Sequence, residues 1–382
     1  MDPTLYPFAV AVSLLIIFYL VGLVNSHAYK LALPSGARDG CIDGSRGFLA
    51  LFVFFHHFAI FQHWKSGGEW LAPNNHLMNN LGVVSVQIFF MITAYLFIKK
   101  IKKGNVSWPK LYKSRFFRVA PLYLFAVFIT IFYSTLLATR SATPEEYLLS
   151  LTRWLLYYGD GFPGYHDANN ITAGVTWTLK YEWLFYLSLP LFAFFINKKL
   201  TILLFLGMLV LYGINFSHAA IAAVYLMPFA MGWFMVVLEE KGFTWMKVKF
   251  DTPVMSALML IIFALALSLN AETRIGMLSI QLCGFMLFLL ISQGCSVFGL
   301  LRSRPAVILG EVSYSIYLTH GITLFTLSTF FNVPLSLYTL PLFAFVVVML
   351  SMATYKYIEK PFIDFGRRKA PSIILPKTET PG

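Results

Sequence analysis

The stretch RGFLALFVFFHHF, residues 46–58, carries an arginine into an apolar run that ends near two adjacent histidines. Eleven helical steps separate Arg46 from His57, about 1,100° at 100° per residue, which leaves roughly 20° after three turns and a rise of ~16 Å. The two side chains therefore share one helical face, and His56 points about 80° away from it. Asp43, one turn before Arg46, is placed to hold the guanidinium. Ionisable groups at such depth need a partner or a watery cavity, so they mark a site by default. The plainer alternative is a histidine that hydrogen-bonds between helices for packing, and it fits His56 better than His57.

Three further clusters have the same character. In YKSRFFRVAPLYLF, residues 112–125, Arg115 and Arg118 stand three apart on one helical face. Guanidinium forks bind phosphates bidentately, which suits an anionic, nucleotide-containing cofactor. Taken alone, the pair reads first as basic anchoring at a membrane boundary. In TWTLKYEWLFYLSLP, residues 176–190, Glu182 lies about two turns inside its segment and Tyr186 follows four residues on, on the same face. A carboxylate at that depth is protonated or paired, and either condition serves acid–base chemistry. A glutamate tied to Lys180 or to a tyrosine for packing is the other reading. GEVSYSIYLTHG, residues 310–321, ends near His320 and is weak by itself, because interfacial histidines and tyrosines are common.

The elements that must position these groups are membrane helices. Of 382 residues, 58% are hydrophobic and only 12% are charged, against about a quarter charged in a soluble domain. Mean hydropathy is +0.71. A barrel's alternating pattern is absent, so the expected class is an all-α, polytopic transmembrane bundle. Runs of about 20 apolar residues suggest eleven spans: 5–25, 46–62, 82–98, 119–138, 176–196, 200–216, 219–238, 254–270, 275–292, 306–330 and 335–357. No basic residue precedes the first span, which reads as an uncleaved anchor with its N-terminus outside. Of the 29 Lys and Arg residues, 24 then fall on one side, four (Lys65, Arg140, Arg153, Arg274) on the other, and Lys180 inside a span. The positive-inside rule puts the C-terminus in the cytoplasm. The net charge of +12 reflects this topology and contact with anionic lipid, and nucleic-acid binding finds no support.

The longest outer loop, about 139–175, contains GDGFPGYHDANNITAG and shows no obvious element, a pattern shared by lids, binding loops and disorder. Asn170-Ile171-Thr172 is a glycosylation sequon only for a chain that passes through a eukaryotic secretory route. Cys41, Cys283 and Cys295 are odd in number and lack metal-type spacing, so neither a disulfide framework nor a metal site is expected.

Together, the ordered clusters resemble the integral-membrane acyltransferase-3 family, over about residues 42–365. Asp43, Arg46 and His57 in IDGSRGFLALFVFFHHF match its opening pattern, and Arg115 and Arg118 match its R-x-x-R pair before APLY. Glu182 and Tyr186 match its W-x-L-x-x-E-x-x-F-Y segment, Ser313 to His320 its late S-Y-S-I-Y-L-x-H segment, and YIEKPF, with Glu359 and Pro361, its C-terminal end. The resemblance implies a single membrane domain over 1–382: a ten-helix core, residues 1–41 as an extra N-terminal span and cytoplasmic loop, and 366–382 as a basic cytoplasmic tail. The fused extracytoplasmic hydrolase-like domain of some relatives is missing. It implies transfer of an acyl group, mostly acetyl from acetyl-CoA, to a hydroxyl of a surface polysaccharide such as lipopolysaccharide O-antigen or an exopolysaccharide, in a bacterial inner membrane.

The expected roles are as follows. Arg115, Arg118 and Arg46 meet the acyl-CoA at the cytoplasmic face. His57 acts as base or acyl carrier, with Arg46, Asp43 and Glu182 as its catalytic companions, and Glu182, Tyr186 and His320 lie near the glycan or glycolipid acceptor, Glu182 in the outer half of the membrane. Membrane lipid is a further partner and no metal is involved. A transporter or flippase for a lipid-linked or anionic solute would also carry ionisable residues at mid-depth. It predicts inverted repeats, which the sequence does not display.

Overall fold

A computed structural model of the chain describes residues 5–25, 40–72, 74–104, 106–194, 203, 207, 223–240 and 250–367. Its helices are α1 (Tyr6–Val24), α2 (Gly40–Lys65), α3 (His76–Lys102), α4 (Trp108–Leu136), α5 (Pro144–Leu155), α6 (Ala168–Ile171), α7 (Thr176–Phe194), α8 (Ala223–Glu240), α9 (Pro253–Ser268), α10 (Arg274–Ser292), α11 (Arg304–Glu311), α12 (Ser313–Phe325), α13 (Leu340–Thr354) and α14 (Lys360–Arg367). Among the described residues the β pairing is one isolated bridge, Phe162 with Tyr165. Local chemistry sets several helix starts. Asn75 accepts a hydrogen bond from the Met78 N–H at the head of α3, Thr252 from the Met255 N–H at α9, and Thr273 from the Gly276 N–H at α10, each satisfying a backbone donor left over by the first turn.

Six described helices are long and apolar enough to cross a membrane: α1, α2, α3, α4, α10 and the continuous rod Leu340–Arg367. The shorter α9 is equally apolar. The chain is thus an all-helical integral-membrane bundle. The count of eleven spans does not follow from these helices. The expected span at 200–216 lies outside the described residues apart from Leu203 and Gly207, as do the basic residues Lys30, Arg38, Lys198, Lys199, Lys241, Lys247 and Lys249 and the tail from residue 368. The span expected at 306–330 is two helices, α11 and α12, separated at Val312 and followed by a π turn at Thr326–Phe330. A uniformly apolar stretch hides such a break, because hydropathy measures depth and not direction.

The long loop expected at 139–175 also departs from the expectation, since it contains α5 and the short turn α6. Thr143 and Glu146 form a reciprocal capping box at the start of α5. Arg140 grips Glu146, and that hydrogen bond with the Thr143 N–H holds the carboxyl down to about 2. Leu148, Leu149, Leu155 and Leu156 are exposed on α5, as expected of an amphipathic helix resting on the lipid interface.

At the centre of the bundle is α2, packed against α3, α11 and α12. Glycine makes the approach to α11 possible. A Cβ on Gly310 would stand 1.8 Å from the Asp43 carbonyl oxygen, and one on Gly44 would stand 1.9 Å from the Leu301 carbonyl oxygen. Small residues at membrane helix crossings let backbones touch in this way. The approach fixes the first turn of α2, and with it Asp43 and Arg46. Gly310→Ala is therefore expected to lower stability by about 1–3 kcal/mol through overpacking. Gly22→Ala, where a Cβ would meet Pro305 at an ordinary 3.7 Å, serves as the neutral control. Thermal unfolding of the two variants in detergent checks the difference.

Candidate active site

Two cavities lie along α2. The larger, about 480 Å³, is lined by Asp43 and Arg46 from α2, Arg115 and Arg118 from α4, and Glu182 and Tyr186 from α7. Lys103 and Lys99, the latter paired with Glu239 at 2.9 Å, also line it at the end of α3. The smaller, about 150 Å³, is lined by His56 and His57 from α2, Gln87 from α3, Trp177 from α7 and Tyr225 from α8. Val86, Phe90 and Tyr317 line both. They form a thin apolar and phenolic partition between the two spaces. The Tyr317 hydroxyl is pinned to Thr178 at 2.8 Å.

The larger cavity is strongly cationic, yet its arginines are not equivalent. Arg118 lies 3.9 Å from Glu359, whose carboxylate is fully buried and accepts a 2.9 Å hydrogen bond from Ser315. A π turn at Tyr355–Glu359 interrupts the rod between α13 and α14 and turns this glutamate inward, a common use of the extra residue of a π turn. Tyr355 donates to Glu311 at 3.1 Å, beside the same cluster. Arg46 is 3.9 Å from Asp43. Arg115 instead stacks on the Phe97 ring, 5.2 Å from its centroid, and reaches the Tyr186 hydroxyl. Tyr186 in turn donates to Glu182. Arg118 is thus committed to a buried carboxylate, while Arg115 is held by a ring and a phenol and remains available to an anion.

In the smaller cavity the imidazoles are ordered by backbone carbonyls. His56 Nδ1 faces the Met78 carbonyl at 3.1 Å and ties α2 to α3. His57 Nδ1 faces the Val53 carbonyl at 3.0 Å and His320 Nε2 at 3.1 Å. His320 Nδ1 faces the Ile316 carbonyl at 3.1 Å. His57 is partly open to the cavity, whereas His320 is wholly buried.

Each expected site residue can now be located. Asp43, Arg46, Arg115, Arg118, Glu182 and Tyr186 meet in one cavity. His57 lies across the partition from them, and α12 supplies Tyr317 to both sides. Glu182 stands among the arginines, grouped with the residues expected to meet the acyl donor and not at a separate outer site. His320 contacts His57 and has no exposed surface to offer a substrate. Glu359, Lys99, Lys103, Tyr317 and the partition were not singled out as site residues from the sequence. YIEKPF held the signal for Glu359, but its inward turn depends on a π geometry that no spacing rule gives.

A family model described as an acyltransferase domain, acyltransferase-3, matches residues 39–356 of the chain. No curated protein and no solved structure matches it. From the charge pairing, Glu359→Ala is expected to destabilise the fold by about 3–5 kcal/mol, because it leaves the Arg118 charge buried without its partner. Arg115→Ala should leave stability within about 1 kcal/mol, since only a ring contact and a phenol are lost. Unfolding temperature and the yield of the purified variants measure both.

Proposed function

We propose, for a chain that belongs to the integral-membrane acyltransferase-3 family, that this acyltransferase moves an acetyl or similar acyl group from cytoplasmic acyl-CoA to a hydroxyl of a surface glycan. The glycan is lipopolysaccharide O-antigen, an exopolysaccharide or a related glycolipid. The protein sits in a bacterial inner membrane with its N-terminus outside and its C-terminus in the cytoplasm, the orientation favoured by the charge bias.

The observation that carries this reading is the pair of cavities back to back, one rich in cations and the other holding a histidine, parted by three side chains. Arg115 and Lys103 suit the phosphates of CoA, with Arg46 and Lys99 beside them although each also faces a carboxylate, because guanidinium and ammonium groups in a partly desolvated pocket bind phosphate strongly. The thioester then reaches past Val86, Phe90 and Tyr317 to His57. His57 takes the proton of the acceptor hydroxyl as its oxygen attacks the thioester carbonyl. The carbon–oxygen ester bond forms, the carbon–sulfur bond breaks, and the proton passes on to the departing CoA thiolate. In a two-step variant the same imidazole carries the acyl group between donor and acceptor.

The test uses membranes containing the full chain, labelled acetyl-CoA and candidate glycans. His57→Ala is expected to keep abundance and to lose ~10²- to 10⁴-fold in label transfer, the usual worth of general base catalysis. Wild-type transfer by that variant removes His57 from the reaction, and solute uptake without label transfer would favour a transporter. Arg115→Ala should raise the KM for acetyl-CoA about tenfold or more, from loss of a charge-assisted contact worth about 1.5–3 kcal/mol. An unchanged KM takes Arg115 out of the donor site.

A further inference from the structure

His57 and His320 approach each other from different helices in a way that leaves few choices for their hydrogens. The Ile316 carbonyl can only accept, so His320 Nδ1 carries its hydrogen and, in the neutral ring, Nε2 keeps a lone pair. That lone pair lies 3.1 Å from His57 Nδ1. The Val53 carbonyl, 3.0 Å from the same nitrogen, also accepts only. Both neighbours therefore require a hydrogen on His57 Nδ1, which leaves Nε2 as the bare nitrogen. The Val53 oxygen lies one helical turn before His57 and already takes part in the helix's own bonding, so the His320 nitrogen is the neighbour with a lone pair to spare. Exposure divides the roles in the same direction: His57 borders the 150 Å³ cavity and His320 is fully buried behind it.

We propose that His320 is a positioning residue that fixes His57 in the Nδ1–H tautomer and orients its Nε2 as the reactive nitrogen. This rests on the reading of His57 as base or acyl carrier and replaces the expectation that His320 touches the acceptor. The arrangement follows the general logic of a base whose far nitrogen is held by a third group, with a neutral imidazole where a carboxylate often stands. When His57 takes the acceptor's proton on Nε2, its positive charge is shared with the His320 lone pair through the Nδ1 hydrogen. The Nδ1 hydrogen stays within the dyad, and the proton taken on Nε2 passes to the CoA thiolate.

α12 makes this possible. Its hydroxyl ladder, Ser315 to Glu359 at 2.9 Å and Thr319 to Ser351 at 3.0 Å, anchors the face of the helix next to His320 to α13 and the π turn. The buried ring therefore keeps its place without help from a substrate.

Two measurements on the full-length protein test the idea. Nitrogen-15 spectra of histidine-labelled protein, with His57→Ala to assign the signal, should show His57 protonated at Nδ1 and bare at Nε2. A hydrogen on Nε2 in the wild-type protein would overturn the proposal whatever the activity. In the second, acetyl-CoA turnover is compared for His320→Leu and His320→Gln, with water or endogenous glycan as acceptor. Leucine should lower kcat by ~10-fold or more while the KM for acetyl-CoA stays within about twofold. Glutamine, whose side-chain oxygen reaches about where Nε2 stood and accepts the same hydrogen, should recover kcat to within roughly fivefold of wild type. Equal loss in both variants, or none in either, refutes the positioning role. Full activity of His57→Ala instead refutes the base reading itself, so the two failures are distinguishable.

Discussion

A guanidinium buried in an apolar bundle has to be paired, and the pairing of Arg118 with Glu359 is the constraint around which this end of the bundle is organised. Placing either charge alone among helices costs several kcal/mol, and breaking such a pair costs more than omitting it. The pair ties α4 to the last membrane rod. Ser315 extends it to α12 through its bond to the same carboxylate, and Tyr355 reaches Glu311 beside it. The π turn at Tyr355–Glu359 is the local distortion that this pairing needs, because an uninterrupted α-helix would turn the glutamate to another face. Close contact at Gly44 and Gly310 does the corresponding work for α2, bringing Asp43 and Arg46 up to the same cluster.

With Arg118 committed, the rest of the larger cavity acquires a division of labour. Arg115 rests on Phe97 and Tyr186, contacts that hold it in place without neutralising it. The Tyr186–Glu182 bond places an acidic group beside Arg115 in the same cavity. Val86, Phe90 and Tyr317 then stand between a charged space and one walled by imidazole, aromatic and aliphatic side chains.

Much of this was legible from residue types and spacing. The three-turn interval between Arg46 and His57 put both on one face of α2, and both face spaces that α12 helps to line. Ordered motifs identified the family over nearly the range that the family model matches. Other features were not legible. The TPEE sequence at 143–146 encoded a capping box, yet a loop reading passed over α5 because the flanking residues lack a long apolar run. The division of 306–330 into α11 and α12 was hidden by continuous hydropathy. His320, placed near the acceptor by its motif, reads as a substrate contact; in the bundle it is buried against another imidazole.

By itself, the sequence determined the solvent the chain lives in, its all-helical class, its family and which side chains had to be spared from lipid, because these depend on composition, periodicity and ordered motifs along one strand of chain. The tertiary structure decided which arginine faces a buried carboxylate, that His57 meets His320, and that the cationic and histidine-lined spaces share three side chains. Those are relations between helices far apart in sequence: Arg118 with Glu359, His57 with His320, Gly310 with Asp43. A helical period fixes the face on which a residue stands, but the partner it meets there depends on how the other helices are rotated and how closely they pack.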